Sequence, residues 1–481
     1  MELEIKKKES LDSNASVAVL ATKDSVFDAS FLSDKEYDYV KTRIGKSDTF
    51  ITINQFQRFV FIIILDSKKQ FHILLEDARK AGFKAQTLLS EMEYDKLNVF
   101  HAENNVEAII AFTEGAVLGS YRFKKYMKNK DERKSTLKEL GLICQPLSEL
   151  KISQLVNVCK ALFKVRDLIN EPVSFLNAEQ LSLEFKQMGD EAGFSVEILN
   201  KKKIEALKMG GLLAVNKGSV DPPTFTIMEW KPKNAINKKP FVLIGKGIVY
   251  DTGGLSLKPT TDSMDYMKCD MSGAAIACGV VYSVAANKLP LHVIGLAPAT
   301  DNRPSGNAFA PGDIVTIMDG TNVEVLNSDA EGRIVLADAL VYAKKYDPEL
   351  VIDLATLTGS ASIIIGPYAI VAMGNASSEV KSRLFKSAEH VFERMIELPL
   401  WDDYSEMLKS DIAEIKNVGG KQAGTIIAGK FLERFVSYPW MHFDIAAVAF
   451  SKKNENYRGK GGTGFGLRLL YDFFSRLSEE I

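Results

Sequence analysis

Apolar positions in the first part of the chain come in short runs separated by stretches with a helical period. SVAVLAT (16–22), FITI (50–53) and FVFIIIL (59–65) predict strands, and residues 71–90 and 106–123 predict helices. Residues 1–150 therefore read as a small α/β domain whose charged residues show no catalytic clustering. The charged segment KDERKSTLKEL (130–140) reads as surface. KISQLVNVCKALFKVRDLI (151–169) carries Leu155, Val158, Cys159 and Leu162 on one stripe, which predicts a long helix. NEP (170–172) stops it, because the residue before proline avoids helical backbone. Residues 151–171 are thus expected to connect two domains.

From residue 172 the pattern becomes a regular strand–helix alternation. FVLIG (241–245), LHVIGLAP (291–298), ELVIDLA (349–355) and WMHFDIAA (440–447) predict strands. SGAAIACGVVYSVAA (272–286), GRIVLADALVYAKKY (332–346) and GFGLRLLYDFFSRL (464–477) predict helices. DIVTIM and VEVLN flank Asp319–Asn322 and predict a hairpin. The expected fold is α/β: a small N-terminal domain for assembly or regulation, and a larger domain over 172–481 with a mostly parallel sheet covered by helices.

Composition narrows the classes. With 481 residues and 46% apolar content, the chain can build two cores and has no bias toward disorder. Lys+Arg number 60 and Asp+Glu 62, so no net field draws nucleic acid or anionic lipid. Short basic clusters such as residues 201–203 read as solvated surface. Four cysteines (Cys144, Cys159, Cys269, Cys278) lack metal spacing and fit a reducing compartment; Cys269, beside Asp270, reads as buried. MELEIKKKES has no apolar core behind it, and Phe59–Leu65 is far short of a span of roughly 20 residues. A soluble, cytoplasmic protein without membrane contact is expected.

Candidate chemistry sits in three acidic motifs of the second domain. GKGIVYDTGGLSLKP (245–259) offers Lys246, Asp251 and Lys258; MDYMKCDMSG (264–273) offers Asp270; NSDAEGR (327–333) offers Asp329, Glu331 and Arg333. Each is read as following a strand, where open α/β sheets form their ligand crevice. Singly, each motif is explained by a turn, a helix cap or an acidic first helical turn. Together they bring four carboxylates against Lys258 and Arg333, and like carboxylates at close range cannot all stay ionised without compensation. Two divalent cations (Zn²⁺, Mn²⁺, Co²⁺ or Mg²⁺) would supply the missing charge, and a pair about 3.5–4 Å apart activates water. The residues point to a two-metal hydrolytic centre. Gly253, Gly254 and Gly332 would let backbone pass close to it. The five histidines form no HExxH pair; His292 and His442 fall in predicted strands and read as packed.

These motifs, with PSGNAFAPGD (304–313), LATLTGS (354–360) and WDDYSEMLKSDIAEIKNVGG (401–420), resemble in order those of the leucyl aminopeptidases, or cytosol aminopeptidases. The family hallmark NTDAEGR appears with Ser328 for threonine, which keeps the hydroxyl. The resemblance spans about residues 160–481. It implies a tightly held metal on Lys246, Asp251, Asp270 and Glu331, and a more exchangeable one on Asp251, Asp329 and Glu331. The metals would be Mn²⁺ or Zn²⁺, and Lys246 would have to be neutral to ligate. Lys258 would be the catalytic lysine, and Arg333 would hold a bicarbonate acting as general base for a metal-bridged hydroxide. Thr356–Gly359 would line the site, so that substrate is met by Lys258, Asp270, Thr356, Gly359 and Met267; for Met267, plain core packing is the competing reading. The implied activity removes leucine-like apolar N-terminal residues from short peptides, in a homohexamer whose active sites face an internal cavity. Arg303 and VNKGS (215–219) depart from the family pattern without touching these positions. Two alternatives compete. A dinuclear phosphoesterase would commonly recruit histidine ligands, and none lies near the motifs. A catalytically dead relative serving as a binding or DNA-associated scaffold would have lost some of these residues, and all seven charged ones are present.

Overall fold

The computed structural model describes residues 3–129, 135–454 and 456–479. KDERK, the start of the charged segment read as surface, lies outside the described residues. The chain divides into two units: Met1–Phe163 with His390–Phe392 and Lys453–Lys460, and Lys164–Glu389 with Glu393–Lys452 and Gly461–Ile481. The division falls within one helix, Glu149–Asn170.

The first unit holds a six-stranded sheet. Its middle strands Lys96–His101, Ser16–Ala21 and Phe59–Ile64 run parallel, and Phe50–Asn54 closes one edge antiparallel. Ser16–Ala21 is buried at every position, as expected of a strand covered on both faces. Val17, Val19, Ile51, Ile53, Val60 and Ile62 form one side of its core with Val40. Helix Phe71–Glu91 matches its reading, whereas the helix read as 106–123 ends at Gly119, with Ser120 as its cap.

The second unit is built on a nine-stranded sheet. At its centre Trp440–Asp444, Leu350–Ala355, Phe241–Gly245 and Val293–Asn302 lie side by side and parallel. Thr224–Trp230, Ser195–Leu199 and Ile370–Gly374 are joined antiparallel, so the sheet is mixed with a parallel middle. Apart from Tyr282, helix Ser272–Ala286 is made of small and β-branched residues, and it is buried along almost its whole length. Together with the preceding 3₁₀ turn it is long and apolar enough to cross a membrane, yet 94% of that window is packed inside the unit, so it is a core helix.

One strand organises the region that matters most. Val293–Asn302 pairs with Phe241–Gly245 along its first half, then with a further strand, Gly247–Asp251, along its second. Lys246 falls in the break between those two ladders. Its N–H bonds Leu354 O, and its carbonyl accepts from Ala274 N, each at 3.0 Å. The hairpin predicted around Asp319–Asn322 is present, but its strands Ile314–Thr316 and Asn322–Glu324 belong to a separate three-stranded sheet with Ile415–Lys416.

Candidate active site

The carboxyl ends of the central strands converge. Lys246 follows Phe241–Gly245, Asp251 ends its own strand, Asn302 ends Val293–Asn302, and Thr356 follows Leu350–Ala355. Only the first of the three acidic motifs arrives from the main sheet as the sequence suggested. Asp270 lies in a 3₁₀ helix, Met264–Met271, rather than just past a strand. NSDAEGR reaches the crevice from the small sheet, through a 3₁₀ turn at Ser328–Ala330 into helix Gly332–Ala343.

Oxygens of Asp251, Asp329 and Glu331 lie within 4.8 Å of one another. Lys246 Nζ stands 2.7 Å from Asp270 Oδ2 and 2.9 Å from Glu331 Oε1, and donates to Thr356 O at 3.1 Å. Lys258 Nζ is 2.9 Å from Asp251 Oδ2 and also pairs with Asp329 Oδ1. Thr356 Oγ1 donates to Asp270 Oδ1 at 2.6 Å. Lys246, Asp251, Asp270 and Glu331 are buried, while Lys258 and Asp329 keep an opening to solvent. Met267 is half-buried beside Lys268, and Gly359 is exposed at the start of helix Gly359–Ile365.

Glycines make this packing possible. Gly253 and Gly254 have φ of +83° and +60°, and a Cβ on Gly254 would come 2.7 Å from Asn302 Oδ1. A Cβ on Gly332 would lie 2.6 Å from Lys246 Cε, so the helix could not approach the lysine. Ser328 shows why a hydroxyl is needed: it donates to Gly253 O at 2.7 Å and accepts from Ser256 N at 2.8 Å, stitching the first motif to the third.

Two ammonium groups meet four carboxyls here, and the electrostatics of the cluster reflect the shortfall. Burial, then Glu331, raises Asp251; burial raises Asp270 well above the carboxylate range; burial and Asp251 push Asp329 up to about 7. Only Glu331 is held low: burial opposes it, but Lys246 and Lys258 prevail. Burial works against the charge on both lysines, yet the surrounding carboxylates outweigh it and hold both above their ordinary value. Asp270 Oδ2 and Asp329 Oδ1 are buried without a well-directed hydrogen bond, although each has a lysine close by. A buried, electron-rich donor set still short of positive charge suits divalent cations. Arg333, 7% exposed, donates from Nη1 to Asn417 O at 2.7 Å and leaves Nε buried without a partner; burial brings it down to about 10.

Sequence reasoning passed over three residues here. Asn417 is fully buried, accepts from Leu326 N at 2.8 Å and donates to Asn327 O at 2.7 Å, fixing the entry to NSDAEGR. Asp444 accepts from Thr358 Oγ1 at 2.6 Å and Leu357 N at 3.2 Å, holding the loop after Thr356. Asn302 donates to Asp251 and Glu331. All three follow or end strands, which was the available signal. Cys269 is buried as expected, with its thiol pushed up to about 12 by burial. His292 lies just before its strand, 2.7 Å from Glu229, and His442 is buried within a strand.

Residues 163–471 match the catalytic domain of the cytosol aminopeptidase family. Probable cytosol aminopeptidases of Chlorobium limicola and Chlorobaculum parvum are 43% and 45% identical, covering 78% and 76% of this chain and 77% and 74% of theirs. Among solved structures, the bottromycin maturation enzyme BotP in complex with Mn is similar with a TM-score of 0.85 at 28% identity, covering 97% of this chain and 100% of its own. A mutant tomato leucine aminopeptidase is similar with a TM-score of 0.86 at 26% identity, covering 98% and 96%. The chain therefore belongs to the cytosol aminopeptidase family and is a metalloexopeptidase.

Proposed function

We propose that this chain hydrolyses the N-terminal peptide bond of short peptides, preferring leucine-like apolar residues, with two divalent ions per subunit. The observation that carries this is the convergence of Asp251, Asp329 and Glu331 within 4.8 Å, with Lys246 and Asp270 joined on one side. Lys246, Asp251, Asp270 and Glu331 would hold one ion, and Asp251, Asp329 and Glu331 the other; Mn²⁺ or Zn²⁺ fits the oxygen-rich set. When bound, such ions polarise a carbonyl and lower the pKa of water. Lys246 must then give up the proton that Asp270 and Glu331 now hold on it.

The remaining groups act on the substrate. Lys258 keeps its charge and faces the opening, suited to stabilise oxygen charge as the scissile carbonyl is attacked. Arg333 has a free, buried Nε, suited to hold a planar anion; a bicarbonate held there would supply a general base. Asp270, Thr356, Gly359 and Met267 complete the substrate-facing set, with Met267 as the soft wall of the side-chain pocket. We extend the proposal to a cytoplasmic homohexamer, which sedimentation would test. The activity is tested on a leucyl anilide before and after chelation, with Mn²⁺ or Zn²⁺ restored and Glu331→Ala alongside. Loss with chelator, return with metal and silence of the variant support the proposal; a folded, metal-replete protein inert on every aminoacyl substrate overturns it.

A further inference from the structure

Asn302 ends the strand that both ladders share, and it is 1% exposed. Its Nδ2 donates to Asp251 Oδ1 at 2.9 Å and Ser328 O at 3.0 Å, and reaches Glu331 Oε2 at 3.3 Å. One amide nitrogen thus ties the first acidic motif to the third. The two carboxylates it touches are the two shared by both ions in the reading above.

The side chain has little freedom. Asn302 O accepts from Thr252 N at 3.0 Å and Thr252 Oγ1 at 2.8 Å, which fixes the backbone. Turning the amide over would aim its oxygen at two carboxylates, so the observed orientation is the one the charges allow. Its own Oδ1 is buried without a partner, against Gly254. Lys246 and Lys258 also restrain the carboxylates, but they do so as cations, and Lys246 has to lose its proton to ligate. The Asn302 amide is neutral, so it has no proton to give up to make way for an ion.

We propose that Asn302 is a positioning residue of the dinuclear centre: its amide sets the orientation of Asp251 and Glu331 before metal arrives and holds it afterwards. This rests on the two-metal reading. The test is calorimetric titration of Mn²⁺ into the chelator-stripped full chain, comparing wild type, Asn302→Leu and Asn302→Ser. Asp353→Asn, which breaks a buried pair in mid-sheet, serves as the control for lost stability. Loss of an outer partner of a metal ligand typically costs 10–100-fold in metal affinity, so Asn302→Leu is expected to weaken Mn²⁺ binding by about that factor. Asn302→Ser keeps one donor in less volume and should fall between, while the control lowers Tm with its Kd unchanged. Wild-type Kd in both Asn302 variants, with only Tm reduced, overturns the proposal and leaves the centre standing. A wild type that takes up neither Mn²⁺ nor Zn²⁺ overturns the centre and the proposal together.

Discussion

Two groups of buried charges sit on the same central strands and are built on opposite terms. In mid-sheet, Asp353 and His442 are fully buried 2.6 Å apart, and Asp353 also accepts from Trp440 Nε1 at 2.6 Å. Burial would drive the charge off His442, but Asp353 outweighs it and raises its pKa. There one carboxyl faces one imidazole, and the imidazole is pushed toward its charged form. A few residues further along, at the strand ends, four carboxyls meet two ammonium groups and three of the four are pushed upward. We read the balanced pair as a structural element and the cluster, left short of positive charge, as the proposed receptor for cations.

The largest effect that would sharpen this contrast is on the unbalanced side. Glu331→Ala removes a carboxylate assigned to both ions, so activity should drop by more than the roughly 100-fold typical of outer partners, with the metal-free fold retained by circular dichroism. Asp353→Ala should do the reverse. Leaving His442 unpaired in the core is expected to cost about 3–5 kcal/mol in denaturant unfolding, while kcat of the folded enzyme stays within about twofold. Equal loss of activity in the two variants would break the distinction. Lys258→Met should lower kcat about 10²–10³-fold with metal content unchanged by elemental analysis, since in the proposed mechanism it removes a charge aimed at the developing oxyanion.

The smallest effect is in pH. Because the folded state raises the His442 pKa, its contribution is complete below the unfolded value near ~6.5 and fades as pH rises through the folded value. His442→Gln should flatten the stability profile above pH ~6.5 relative to wild type, measured by denaturant midpoints. An unchanged slope would show that the pair does not carry a charge.

Much of the fold was legible where one force dominates. Helix Ser272–Ala286 was read to the residue because its small apolar side chains allow close burial. Strand Val293–Asn302 was read short, as 291–298, since its polar tail TDN resembles a loop until a partner strand and the carboxylates are in place. The three-stranded sheet went unseen in part because Ile415–Lys416 is two residues long and pairs with a strand far away in sequence. Asp251, Asp329 and Glu331 were found because clustered charge demands an explanation. Asn302 and Asn417 were not, because a neutral amide in a sequence announces nothing until its acceptors are known.

Val293–Asn302 has one more consequence, for how such a chain can diverge. Its first half is gauged by the core ladder at Val293–Leu296 and its second by the ladder that ends at Asp251 and Asn302. Inserting or deleting a single residue between them would turn every later side chain to the opposite face. Surface loops can lengthen at small entropic cost. This strand has a fixed length, and it acts as the ruler that keeps the sheet and the clustered carboxylates in step.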